Sequence, residues 1–487
     1  MRPEPAESVR SWEAETDVLV VGYGCAGATA ALEARRAGAE VLIAEGASGP
    51  GGASAASGGL LYLGGGTGIQ KACGVEDSAE EMFKFLTAAM GAGADGAKIE
   101  VYCDSSVEHF EWLVDLGVPF EAKFLPEPHL ITPADVGLVW LGENSYPFCD
   151  LARPAPRGHR PAAEGLRGWL LMERLVNAVS ASGAGVMRDT KIERLVVNRD
   201  GHVVGGVGRR YGGDLAVRAR RGVVLAGGGF VSNEEMLARH APLLVGHGKV
   251  GTDSDDGRVI NMAQAAGAVV QHMEAGQAAI NFPPALMPHG IIVNRAGQRF
   301  INEDTYPGRI GQAALFHQNA DVFLICDDRA FAALPDAERM GRSPSWVCES
   351  VADLEAEMQL ATGSLQSAVA LYNGHAKRGL DPVFHKSGRW VRPLESPFGA
   401  FPVGGPSMAA PDAPDISTGF AVFTLGGLRT SISGEVLDVD DVPIPGLFAA
   451  GRATSGLQAS GYISGTSLGD GTLFGRRAGR AASRPPA

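Results

Sequence analysis

The sequence predicts an α/β fold in which a discontinuous parallel-sheet domain, built from both ends of the chain, carries an inserted α+β domain. Three observations say so. A β-branched run at residues 17–21 ends in glycine, helix formers follow over 26–37 with Gly38 as a stop, and residues 41–44 form a second strand. A strand, helix and strand within ~30 residues is the length of a right-handed crossover between parallel strands. From about Asn281 the texture changes to prolines, a new strand at residues 322–326 and helices between Ser350 and Gly374. After Gly434 short apolar strands resume, residues 447–450 among them, and a helix over about 467–482 follows, with residues 480–487 expected to fray. The expected division is residues 1–278 and 431–487 for the sheet domain and 279–430 for the insert.

The remaining elements read as scaffold. A helix from about Ser78 opens with a capping box, Ser78 and Glu81, and carries Met82, Phe85, Leu86, Ala89 and Met90 on one stripe. Another helix is expected over about 104–117. Strands at Val186, at 192–198, around Val203 and at 223–226, the last closing on Gly227, Gly228 and Gly229, belong with the first sheet.

Composition bounds the function. A chain of 487 residues exceeds one ordinary core, and its 67 glycines point to close approach of backbone to something. Net charge is −13 with no basic cluster, so no nucleic-acid partner is expected. The six cysteines, Cys25, Cys73, Cys103, Cys149, Cys326 and Cys348, show no metal-ligand spacing and read as reduced thiols of a cytoplasmic protein without a metal site. No apolar run approaches the ~18 residues of a membrane span, so no transmembrane segment is expected.

Gly22, Gly24 and Gly27 form GxGxxG directly after the first strand and directly before the first helix. The first glycine permits a tight turn, the second lets a pyrophosphate approach, and the third lets helix and strand pack. The first turn of the helix, Ala26 included, then offers N–H groups to phosphates. Glu45 ends the second strand, where a carboxylate accepts from ribose hydroxyls. This is a Rossmann-like dinucleotide site. A second match, Gly246, Gly248 and Gly251, lacks a preceding strand and runs into Asp253, Asp255 and Asp256, so it reads as a loop. The small residues Gly52, Ala53, Ser54, Ser57, Gly58 and Gly59 would let a loop lie along an extended dinucleotide, which favours FAD over NAD. Ile444, Pro445 and Gly446, running on through Leu447 to Gly451 and Arg452, support the same reading.

On these motifs the chain resembles, over essentially its full length, the flavoprotein family of succinate dehydrogenases, soluble fumarate reductases and ketosteroid dehydrogenases. The resemblance implies that residues 465–469, opening the last helix, point its positive end at the flavin, and it extends the expected FAD contacts to Ala226, Gly227, Gly228, Asp256, Ser467 and Leu468. Some members attach FAD through a histidine in the glycine-rich stretch. No histidine precedes His109 here, so the FAD is expected to be non-covalent.

Residues 293–303 look like the segment that enters the family's catalytic domain. Three groups that a dicarboxylate needs in the soluble fumarate reductases are replaced: the arginine acid by Pro307, a carboxylate-binding histidine by Phe423, and a carboxylate-binding arginine by Tyr462. Arg309 lies two residues past the first of these positions, so a shifted alignment is the alternative. The string from Ser460 through Tyr462, Ser464 and Asp470 to Gly471 resembles that of the 3-ketosteroid Δ4-(5α)-dehydrogenases, as does the run from Asn302 to Tyr306. Ketosteroid Δ1-dehydrogenases are less similar, having a second glycine where this chain has Ser464.

Desaturating the bond beside a ketone requires polarising the carbonyl, removing the α proton and accepting a hydride from the β carbon. If the stretch before the last helix is extended, Tyr462 and Ser464 project to one side and face one substrate. The resemblance implies that Tyr462 hydrogen-bonds the C3 oxygen of a ketosteroid, that Ser464 takes the C4 proton with Tyr306 as relay, and that the flavin takes the C5 hydride. Tyr306 acting directly as a tyrosinate base is an open variant, and Tyr62 is the one other tyrosine set apart. A fumarate- or urocanate-type enoate reductase and a flavin subunit that only passes electrons are the rival readings. A single fingerprint, already used by FAD, argues against a nicotinamide partner and leaves the electron acceptor unidentified.

Overall fold

The computed structural model describes residues 2–128, 132–404 and 419–485. Its central sheet has nine strands. Ala14–Val21 lies between Val41–Ala44 and Gly213–Leu225, parallel to both, and Gly185–Met187 extends the sheet beyond Val41–Ala44. Val18, Leu19 and Val20 are fully buried, as a parallel strand covered on both faces requires. Pro443–Ala449 comes from the far end of the sequence to pair in parallel with Val223, Val224 and Leu225. The domain is completed by the C-terminal part of the chain.

The sheet is mixed rather than parallel throughout. Thr190–Val197, Val203–Arg210 and Gly213–Leu225 form an antiparallel meander at one edge. Its second turn is Tyr211 and Gly212, both at positive φ, the geometry of a two-residue hairpin that matches strand twist. Gly213–Leu225 serves both halves, and its register slips between Ala219 and Gly222 where it passes from the meander to the parallel core. The sequence signalled only short strands here because glycines interrupt the apolar alternation.

The first helix, Cys25–Arg36, runs against the C-terminal helix, Thr466–Ala482. They approach so closely that a Cβ on Gly479 would lie 2.0 Å from the Ala30 carbonyl oxygen. That contact also holds the end of the chain. Arg480 to Ala482 are helical and Ser483 is buried, so the expected fraying does not begin at Arg480; the last two residues lie outside the described ones.

Two scaffold helices differ from expectation. Ser78 caps Ala79–Ala89 by accepting from the Glu81 N–H at 3.2 Å, but the Glu81 carboxylate binds Lys84 and the Arg153 N–H, leaving the capping box half-formed. The next helix is Gly96–Asp115, starting earlier than the apolar pattern indicated because Asp95 caps it through the Lys98 N–H.

The insert has a four-stranded antiparallel sheet, Ile291–Asn294, Val322–Asp327, Phe398–Pro402 and Trp346–Cys348, with helices Pro307–His317, Val351–Glu357 and Ser364–Ala376. A three-stranded sheet of Gly248–Lys249, Phe420–Thr424 and Gly276–Ile280 joins it to the first domain. The boundary expected at 278 falls inside Gly276–Ile280, because the proline-rich texture begins only after that strand. Among the described residues no helix is long and apolar enough to cross a membrane, and no cluster of metal-ligating side chains occurs.

Candidate active site

The strand Ala14–Val21 runs into Gly22 at φ +104, where a Cβ would lie 2.5 Å from the Ala226 carbonyl oxygen. Only glycine makes this turn. A Cβ on Gly27 would lie 2.0 Å from the Gly22 oxygen, so the third glycine packs helix on strand and does not line the cavity that opens in front of the first two.

That cavity has a volume of about 750 Å³. Gly22, Gly24, Ala26 and Glu45 line one part of it, and Gly52, Ala53, Ser54, Ser57, Gly58 and Gly59 another. Part of the latter stretch, Gly52–Ala56, forms a short helix where a loop was expected. The turn at Gly51, φ +118, starts that helix and brings Ser54 across the fingerprint, where its Oγ accepts the Cys25 N–H at 3.2 Å. Glu45 accepts the Tyr23 N–H at 2.6 Å and the Ala47 N–H at 2.8 Å, which fixes its carboxylate at the rim.

Ala226, Gly227, Gly228 and Asp256 line the opposite wall, with Gly451, Arg452, Ser467 and Leu468. Asp255, passed over in favour of Asp256 at the level of sequence, organises this wall. Buried, it accepts from the Gly229 and Thr252 N–H groups at 3.1 and 2.8 Å and from the Arg452 guanidinium at 2.6 Å. Asp256 instead pairs with Arg258. The run from Gly246 to Gly251 is a loop with a two-residue strand, Gly248–Lys249, and Gly251 lines the cavity because Asp255 draws the loop in.

At the other end the helix Thr466–Ala482 begins after Gly465 at φ +88, and Tyr462 and Ser464 open on the cavity just before it. Tyr306 stands behind Ser464. As the residue preceding helix Pro307–His317 it hydrogen-bonds the Ser464 Oγ and accepts the Ser464 N–H at 3.2 Å, without lining the cavity itself. Burial is the largest cause raising both phenols: Tyr306 goes well above its ordinary range, and Tyr462 moves the same way against a lowering hydrogen bond from Ser467. Both are neutral donors near neutral pH, which weighs against Tyr306 as a standing tyrosinate.

Tyr462 meets the Phe423 ring edge-on, at 5.2 Å and 88°. Phe423 and Ala421 pair across strands with Gln277 and Ala279, and all four line the cavity as one sheet face. Gln277 was missed because the expected domain boundary fell on its strand. Arg309 turns away, donating to the Tyr146 carbonyl, Asn302 and Thr305, and it does not line the cavity. Tyr62 is fully buried against Phe85, outside the lining.

Three glycine turns around one elongated cavity, an acid at one end and a helix start at the other, fit a dinucleotide flavin. The family of FAD binding domains matches residues 17–468. The chain belongs to that family. As a member of the FAD binding domain family it takes FAD as cofactor and is an FAD-dependent oxidoreductase. It is similar to the 3-ketosteroid-Δ4-(5α)-dehydrogenase of Rhodococcus jostii RHA1, solved in complex with 4-androstene-3,17-dione, at 49% identity and a TM-score of 0.94, covering 99% of this chain and 100% of that one. The 3-oxo-5-alpha-steroid 4-dehydrogenase of Comamonas testosteroni is 28% identical over 90% of this chain and 93% of its own length. A probable fumarate reductase, Ifc3 of Shewanella frigidimarina, is also 28% identical, over 96% of this chain and 75% of its own.

Proposed function

We propose that this FAD-dependent oxidoreductase dehydrogenates 3-keto-5α-steroids, introducing the C4–C5 double bond, and passes the electrons to an acceptor still to be identified, in the cytoplasm. One observation carries the reading: two hydroxyls, Tyr462 and Ser464, open on the cavity, the second backed by Tyr306. The likeness to the Rhodococcus and Comamonas enzymes supports a steroid, and Ser464, where the resemblance gives Δ1-dehydrogenases a glycine, supports Δ4 over Δ1.

Tyr462 donates its O–H to the C3 oxygen and so stabilises the negative charge that gathers there as the C4 proton leaves. Ser464 takes that proton on Oγ as its own hydroxyl proton passes to Tyr306, whose phenol proton is released to solvent. Bound FAD supplies the acceptor for the hydride that leaves C5. The site suits a neutral ketone. At the positions where a dicarboxylate site needs cations stand Pro307, Phe423 and Tyr462, and Arg452, whose guanidinium lies 5.3 Å from the Phe423 ring centroid, is tied to Asp255.

Anaerobic mixing with a panel of 5α- and 5β-3-ketosteroids tests this. Saturated 5α-3-ketosteroids should bleach the flavin. Indifference to every ketosteroid, with reoxidation of dye-reduced enzyme by fumarate or urocanate, would establish the enoate-reductase reading instead.

A further inference from the structure

Behind the wall that Gly451, Arg452 and Ser467 present to the cofactor cavity lies a second, much smaller space of about 10 Å³. The same three residues line both. Leu425 forms one of its other walls, and the rest are polar: Thr424, Thr454, Gln458 and Asp470. A space of this order holds a single water when polar groups surround it.

Asp470 sits in the second turn of the C-terminal helix, 4% exposed, and its Oδ1 makes no hydrogen bond. The carboxyl rests on Gly456, where a Cβ would lie 3.0 Å from both of its oxygens. The ionisable groups around it come from three further elements. Lys98 and Tyr102 face it from helix Gly96–Asp115, Cys25 from the first helix, and Arg452, already paired with Asp255, from the turn after Pro443–Ala449. Lys98 is buried and spends its ammonium on the Thr430 hydroxyl at 2.9 Å rather than on Asp470.

The dinucleotide's direction places this carboxyl. With ribose held at Glu45 and pyrophosphate at Gly24 and Ala26, the redox-active end would run toward Ser467, which lines both the cavity and the small space that Asp470 also lines. We propose that Asp470 is a positioning residue for the redox reaction: a buried carboxyl whose proton uptake is coupled to reduction of the bound FAD. A hydride taken from the substrate would leave one net negative charge on bound FAD, and an ionised Asp470 would take up one proton from solvent in compensation, through a water that the small space has room for. Burial pushes its pKa up to about 7, and Lys98 opposes that rise. Negative charge across the wall raises it further, so Asp470 binds a proton on reduction between its two values and is neutral in both states below them. The proposal rests on the FAD site alone, whatever the substrate.

The test is a spectroelectrochemical titration of holoenzyme from about pH 6 to 9. Wild type should take up more than one proton per two electrons around neutrality and one at the acid end. Asp470→Asn should take up one throughout, with a reduction equilibrium constant at least tenfold larger than wild type at the alkaline end, about 30 mV for a two-electron couple. Lys98→Met should move the wild-type inflection to higher pH. A wild-type slope of one proton per two electrons across the whole range overturns the proposal, whichever variants fold, and so does an inflection that survives in Asp470→Asn.

Discussion

The Tyr306 hydroxyl is hydrogen-bonded to the Ser464 side chain and receives the Ser464 backbone N–H at 3.2 Å, across 158 positions of sequence. The contact ties the start of the helix Pro307–His317 in the insert to the turn before Thr466–Ala482 in the cofactor domain. It puts a buried phenol behind a cavity-facing serine, as a two-step proton path requires.

Tyr462→Phe keeps the ring against Phe423 and removes one donor. Steroid binding should change little, while flavin reduction in stopped flow slows by roughly 10²- to 10³-fold if the loss resembles that of one oxyanion donor. Ser464→Ala should slow the same step, and the double variant should fall short of the product of the two. Reduction of Tyr462→Phe at the wild-type rate would remove the assignment.

Because burial raises both Tyr306 and Tyr462, each stays protonated through the physiological range. The rate of flavin reduction should therefore show no tyrosine ionisation between about pH 6 and 9. A rising alkaline limb that disappears in Tyr306→Phe would mean that a tyrosinate is the direct base.

Non-covalent FAD is expected from the absence of histidine before His109. Acid precipitation should leave the yellow colour in the supernatant; colour in the pellet would contradict this.

Glu45→Ala should weaken FAD through lost charge-assisted hydrogen bonds, about 1.5 to 3 kcal/mol each. The structure adds that the Tyr23 and Ala47 N–H groups lose their acceptor too, so Glu45→Gln, which keeps one acceptor oxygen, should cost less. Flavin titration of the two variants measures the difference, and equal affinity to wild type in both would mean the acid does not reach the ribose.

Gly479→Ala should lower the melting temperature, since its Cβ would meet the Ala30 carbonyl at 2.0 Å and force the two helices apart. Overpacking of this kind costs about 1 to 3 kcal/mol. A thermal melt by circular dichroism indistinguishable from wild type would show that the pair separates freely.

Some of this was settled by sequence alone. Gly22, Gly24 and Gly27 with Glu45 specify strand, turn and helix because each rests on a local steric demand, a positive φ or an absent Cβ, that residue identity states directly. The expectation that Phe423 and Tyr462 stand where a dicarboxylate site needs cations likewise rests on which residue stands where. Tertiary structure decided the rest. Asp255 and Asp256 are neighbours of one type, and only the fold buries the first on Arg452 and leaves the second with Arg258. Gln277 became part of the wall through strand pairing with Phe423, and Asp470 became a buried carboxyl because Gly456 and helix Gly96–Asp115 close over it. Burial and pairing are set mostly by segments remote in the sequence, and a linear sequence carries no local mark of which distant neighbour will exclude water from a side chain.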